Sequence, residues 1–277
     1  MYNNQLLKIV FMKIETNKQP SFQLSIKKNI IKEFGYDLSL ESVILDFGCG
    51  NGKLVEEFCD LGYKAFGCCT RFSTEVDVDT DAMIRKGIIR TIDLKNYVLP
   101  FEDNTFDFIF SQSVFEHVQN YSESISEIAR VLKPDGFCLH SFASRYRPIE
   151  PHVYVPLSSV IQSQLWLYFW AILGIRNNFS ANLNAKETSI KFYNYLKDET
   201  NYLSKKQLIN QFGIKFQDVI FCENLFNKHS PVRGKYLYAL SKILPFIPSI
   251  YSALFSRVIF TRLPKKAQSS TMVHVDS

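Results

Sequence analysis

Asp46-Phe47-Gly48-Cys49-Gly50-Asn51-Gly52 follows the β-branched run Val43-Ile44-Leu45 and precedes Lys53–Leu61, where Leu54, Val55, Phe58 and Leu61 share one side of a helix that stops at Gly62. The stretch reads as a buried strand, a tight turn and a helix. Glycines in such a turn let backbone approach a ligand closely, and the helix start offers unpaired N–H groups. The spacing excludes two nucleotide loops. A dinucleotide fingerprint needs glycine at 53, where Lys53 stands, and a Walker loop needs a hydroxyl after Gly52-Lys53, where Leu54 stands.

The alternation continues outward. Tyr63–Cys69, Gly87–Ile92, Phe106–Ser111 and Phe137–Phe142 read as strands, and Tyr121–Leu132 as a helix; upstream, Ser21 opens an amphipathic helix ending at Gly35. Strands alternating with helices over about 100 residues indicate a parallel sheet covered on both faces, hence an α/β, doubly wound fold. After Ser144 come an aromatic run (Leu165–Trp170) and an Asn-rich stretch, then a capped helix at Ser204–Phe212 and strand character at Ile214–Phe221. Tyr236–Tyr251 reads as a proline-broken helix and Arg257–Arg262 as a last strand. One domain is expected: an N-terminal helical extension (1–42), a core (43–142), a cap insertion (143–203), a sheet completion (204–263) carrying a basic apolar insertion (224–256), and a frayed tail (264–277).

The 277 residues carry a net charge of +5, unevenly placed: residues 1–150 hold 17 Lys/Arg against 21 Asp/Glu, and residues 151–277 hold 15 against 6. Between Asn224 and Val275 there is no acidic side chain. A basic C-terminal part implies either a solvated face or an anionic partner such as phosphate or a membrane surface. The six cysteines form no C-x-x-C pair and no zinc-like cluster, which fits a reducing compartment and no metal. Lysines 8, 13 and 18 interrupt the N-terminal apolar residues, and Leu165–Ile175 is about half the roughly 20 residues of a spanning helix. The expected location is cytoplasmic, with peripheral contact at an anionic membrane face as an option.

Four ordered blocks carry a family resemblance. They are the glycine loop; Asp93 followed by Leu99-Pro100-Phe101-Glu102-Asp103-Asn104-Thr105-Phe106-Asp107; Phe115-Glu116-His117-Val118; and Glu127-Ile128-Ala129-Arg130-Val131-Leu132-Lys133-Pro134-Asp135-Gly136. Over roughly residues 40–142 the chain resembles class I S-adenosylmethionine (SAM) methyltransferases of the type 11 kind. The resemblance implies a Rossmann-like seven-stranded methyltransferase sheet and SAM as cofactor. It places Gly48, Gly50 and Gly52 under the methionine part of SAM, Asp46 near its ammonium, Asp93 and the Leu94 backbone at the adenine amine, and Ser111 near the transferred methyl; Asp107 would support the sheet edge. The family's acidic residue at the end of strand two, which chelates the ribose diol, is matched here by Cys69, a poor acceptor; Asp77 or Asp79 is the match if strand two lies later.

For a hydroxyl acceptor a general base is needed. Candidates near the strand ends are His117, His140, Glu150 and His152, of which His140 also reads as a core histidine and His117 as a packing residue. Arg147-Pro148-Ile149-Glu150-Pro151-His152 is a proline-stiffened loop past strand five, and His152 or Glu150 is the preferred base. The segment Phe142–Asn177 looks like that of bacterial methyltransferases associated with surface-polysaccharide gene sets, which implies a sugar hydroxyl on a nucleotide- or lipid-linked glycan as acceptor. The alternatives are a lipid or quinone headgroup, or a degenerate binding subunit. Nucleic acid is disfavoured: Ser111-Gln112-Ser113-Val114 replaces the Asn/Asp-Pro-Pro-aromatic motif of amino-directed base methylases.

Overall fold

The computed structural model describes residues 20–70, 79–93 and 95–264. Its spine is a seven-stranded sheet in the order β3-β2-β1-β4-β5-β7-β6. In chain order the strands are β1 (Val43–Phe47), β2 (Lys64–Cys69), β3 (Ile89–Thr91), β4 (Phe106–Gln112), β5 (Leu132–Ala143), β6 (Asp218–Phe221) and β7 (Ser256–Arg262). The first five run parallel, while β7 lies antiparallel between β5 and β6. The helices are α1 (Phe22–Glu33), α2 (Lys53–Asp60), α3 (Thr80–Arg85), α4 (Tyr121–Val131), α5 (Gln164–Ile172), α6 (Ala185–Glu199), α7 (Lys205–Phe212), α8 (Glu223–His229), α9 (Val232–Ser241) and α10 (Ile247–Leu254). The doubly wound α/β expectation holds, and the reversed β7 makes the sheet mixed.

The period of two along β4 sorts side chains between two apolar layers. Phe108 and Phe110 join Leu24, Ile30, Val55, Phe58 and Phe260 on one face; Ile109 joins Phe115, Ile125, Ile128, Leu208 and Phe212 on the other. A third cluster, Val153, Val155, Leu167, Phe192 and Leu196, gives the cap its own small core, with Trp166 and Trp170 packed against it.

Two of the four blocks of the resemblance are bonded to each other. Arg130 donates to Glu127, to Asp103 (2.7 Å) and to the carbonyls of Leu99 and Phe101, which clamps the loop ahead of β4 to α4. Asp107 accepts the Val43 N–H (2.8 Å) and pairs with Lys133, so it does support the sheet.

Three elements differ from the sequence reading. The Asn-rich stretch leads into α6, which opens with a capping box between Asn184 and Glu187. The strand expected over Ile214–Phe221 shrinks to β6, because Lys215 and Phe216 still donate to the Phe212 carbonyl at the end of α7. The proline-broken helix is two helices, α9 and α10, separated around Pro245. The tail beyond 264 lies outside the described residues. Among the described residues, no helix is long and apolar enough to cross a membrane.

Candidate functional site

Two cavities adjoin at the carboxyl ends of β1, β4 and β5, where ligands bind in open α/β sheets. The first, of about 570 Å³, is lined by Asp46, Gly48, Cys49, Gly50, Asn51, Lys53 and Glu57. The glycine loop reaches it with positive φ at Gly48 (81°), Gly50 (56°) and Gly52 (85°). A Cβ on Gly48 would meet Val114 at 2.3 Å, and one on Gly52 would meet Ile89 at 2.2 Å. Glycine is therefore required twice over, by dihedral and by space. Asp46 is buried, which pushes its carboxyl well above the usual range, and the Lys27 ammonium opposes that shift. Lys27, on α1, is itself buried: its Nζ donates to Gln112 Oε1 (2.7 Å) and lies over the Phe110 ring.

The second cavity, of about 310 Å³, is lined by Gln112, Ser113, Glu116, Ser141, Arg147 and His152 among others. Phe22, Gln23 and Gln112 belong to both cavities, so α1 roofs the pair and Gln112 stands at their junction. Glu150 is fully buried and fully engaged. Its Oε1 accepts from His152 Nδ1 (2.6 Å) and from the Tyr202 hydroxyl (2.6 Å), and its Oε2 accepts the N–H groups of His152 and Val153. Burial pushes this carboxyl up, and the bonds from His152 and Tyr202 more than offset it, so it sits below the usual carboxylate range. The histidine is thereby held with Nδ1 towards Glu150, and the residue forms part of the second cavity's wall. His117 packs edge-on against His152, with ring centres 4.8 Å apart, and donates from Nδ1 to the Glu199 carbonyl (2.7 Å); burial lowers its pKa.

The structure corrects two expected cofactor contacts. Ser111 points away from both cavities into the opposite apolar layer, fully buried, with its hydroxyl 2.8 Å from His140 Nδ1. The alternation of β4 gives its place beside the cavities to Gln112. Cys69 is also buried, with its thiol bonded to Cys49 beneath the loop, and it lines neither cavity. Asp79 caps α3 by accepting the Ala82 N–H (2.8 Å), while Asp77 and Leu94 lie outside the described residues. Asp93 is exposed beyond β3, accepting from Lys95 N–H and Asn96 Nδ2, apart from the cavity under the glycine loop. His140 is a core residue, pushed by burial down to about 3 and hence neutral. Sequence reasoning missed Lys27 and Gln112 altogether, and it read Glu116 only as part of a motif. Among the described residues, no cluster of His, Cys, Asp and Glu has the arrangement of a metal site.

Residues 45–140 match the family described as "Methyltransferase domain". The match covers about a third of the chain, and the sheet that contains it has the fold of class I methyltransferases.

Curated relatives match parts of the chain. A sterol 4-C-methyltransferase of Caenorhabditis elegans is 31% identical over 103 residues, 36% of this chain and 30% of the relative. A demethylmenaquinone methyltransferase of Staphylococcus aureus is 27% identical over 195 residues, 67% of this chain and 71% of the relative. The chain thus spans under a third of the first relative's length. Phosphoethanolamine N-methyltransferase 2 of Haemonchus contortus, solved with phosphomonomethylethanolamine and S-adenosylhomocysteine, shares the fold at a TM-score of 0.50 and 15% identity, covering 94% of this chain and 56% of that one. The first cavity of the methyltransferase domain fits SAM on its own terms. The Gly48–Gly52 loop brings backbone to the cavity in the left-handed conformation that glycine adopts without strain, and Asp46 presents a carboxyl to a cationic group.

Proposed function

We propose that the chain is a SAM-dependent O-methyltransferase whose acceptor lies in the second cavity, and that this acceptor is a sugar hydroxyl on a nucleotide- or lipid-linked glycan. The observation that carries this is the Glu150–His152 pair on the wall of a cavity adjoining the glycine-loop cavity. SAM, when bound, would supply an electrophilic methyl on a sulfonium, with a neutral thioether as the leaving group. His152 receives the acceptor's hydroxyl proton on Nε2, while Glu150 fixes the ring and stabilises the imidazolium that results. Gln112, held by Lys27 at the junction, positions the reacting groups of the two cavities, and α1 excludes water from above. Asp46, Gly48, Gly50 and Gly52 hold the methionine end; Asp93 is assigned to the adenine.

A lipid or quinone headgroup is the second reading. It is favoured by the menaquinone relative and by the exposed Tyr236, Ile243, Phe246 and Ile250 of the segment that ends at Ser256 on the second cavity. Exposed Lys235 and Lys242 would place that segment at an anionic membrane surface.

The test is calorimetric titration with SAM and its demethylated product, followed by product release over a panel of hydroxyl acceptors. Both compounds are expected to bind. His152→Ala is expected to cut kcat by about 10²–10⁴ while SAM affinity stays unchanged. An undiminished rate in that variant removes His152 as the base, and absence of SAM binding by folded protein removes the activity.

A further inference from the structure

Glu116 presents a buried group with nothing to bond. Its side chain is 2% exposed. Oε1 accepts the Ala143 N–H at 3.3 Å, whereas Oε2 has no hydrogen-bond partner, although the residue forms part of the second cavity's wall. Looseness does not account for it. The Glu116 carbonyl accepts the Asn201 N–H, and the preceding Phe115 carbonyl accepts the Tyr121 hydroxyl (2.6 Å). Buried polar atoms in folded proteins are paired, and an orphan on a residue that lines a cavity is a place where a ligand atom can complete the bond.

The surroundings limit what that atom is. Lys27, Arg147 and His152 are the other charged or titratable side chains lining the same cavity, and burial pushes the Glu116 carboxyl up to about 7. A carboxyl that changes protonation near neutrality must accept in one state and donate in the other. An ammonium ligand suits only the ionised form, and a carbonyl ligand only the protonated form. A hydroxyl serves both, being donor and acceptor at once.

We infer that Glu116 is an acceptor-recognition residue that binds a second hydroxyl next to the one presented to His152, so that the cavity selects a vicinal diol. A sugar ring and a catechol-type quinol ring share this chemistry. The inference rests on the second cavity being the acceptor site, but not on methyl transfer taking place. A site built to bond a hydroxyl rejects the analogue that lacks it, because its own polar group is left unpaired.

The experiment measures binding first. Protein carrying ¹³C-carboxyl glutamate is titrated with methyl α-D-mannopyranoside, with its monodeoxy analogues, with catechol and with phenol. The Glu116 resonance is assigned by its loss in Glu116→Gln. At least one diol is expected to bind tenfold or more tightly than the analogue without a vicinal pair (the 3-deoxy mannoside or phenol) and to move the Glu116 resonance; which diol does so separates sugar from quinol. Glu116→Leu is expected to bring the ratio near one, while Glu116→Gln, which keeps the bond from Ala143 and a neutral polar group, retains part of it. A ratio near one for every pair in the wild-type protein overturns the inference. So does an unchanged ratio in a folded Glu116→Gln or Glu116→Leu variant. Product release is then measured with the same diols: diol selection without methyl transfer overturns the proposed activity and leaves the recognition role standing.

Discussion

Two buried residues of opposite habit give the pH response of the fold two opposing slopes. His140 is fully enclosed and held neutral, its pKa lowered from 6.5 to about 3 by burial. Its contribution to stability is complete above the unfolded value and is lost as pH falls through the window from about 6.5 towards 3. Glu116 behaves in reverse. With a pKa raised by burial from 4.5 to about 7, its contribution is complete below 4.5 and is lost as pH rises towards 7. Between these limits the two slopes oppose each other. We therefore expect Glu116→Gln to make stability rise with pH between about 4.5 and 6.5, and His140→Gln to make it fall, each by up to about 1.4 kcal/mol per pH unit relative to the wild-type protein. Denaturant midpoints at two pH values check both signs, and equal slopes in the two variants contradict the account. The loop residues Glu150 and His152 were legible in the sequence as alternative bases, because they sit two positions apart in a proline-stiffened loop past strand five, while the bond between them was not read. Lys27, Gln112 and Glu116 were not. Their character comes from burial, and Lys27 meets Gln112 across 85 positions of chain, a relation that no local pattern records.

At the scale of elements, α1 links the two cavities. Phe22 and Gln23 belong to both, and Lys27 reaches down to their junction. The helix begins at Ser21, whose hydroxyl accepts the Leu24 N–H (3.3 Å) and whose N–H donates to Glu57 on α2. Ser21→Ala removes the cap and keeps the backbone bond. We expect a loss of about 1 kcal/mol, lowering Tm by about 2–4 °C, with weaker binding of SAM and of acceptor together. A melting curve and the two titrations test this; a change in only one affinity would show that the helix serves one cavity alone. The sequence reading found α1, α2, α4 and the strands of the first sheet half because each has a strong period and a glycine or a cap at its border. It passed over α6, where Thr188, Phe192 and Leu196 recur every fourth residue among charged and polar neighbours. The signal was Asn184-Ala185-Lys186-Glu187, a capping box hidden in an Asn-rich stretch. Ile214–Phe221 misled in the other direction: apolar residues closing a helix resemble the start of a strand.

Across the whole molecule, charge and apolar exposure coincide. Tyr236 and Ile243 are more than 70% exposed, Phe246 and Ile250 about half, and Lys235 and Lys242 stand among them. No acidic residue occurs from 224 to 275. If this face meets an anionic bilayer, the protein will sediment with vesicles containing about 30% phosphatidylserine at low salt. Attachment will weaken as salt shortens the Debye length, from about 10 Å at 0.1 M to about 3 Å at 1 M, and in Lys235→Glu/Lys242→Glu. Absence of sedimentation at low salt would leave the apolar face without this partner. The sheet itself imposes an order on synthesis. β7, at Ser256–Arg262, is hydrogen-bonded to β5 on one side and β6 on the other. Until residue 262 has cleared the ribosome, both neighbours present bare edges, and the second cavity lacks Ser256 and Val258. A chain made only as far as β5, which ends at Ala143, therefore carries an open half-sheet, and that edge waits for a strand that begins only at Ser256.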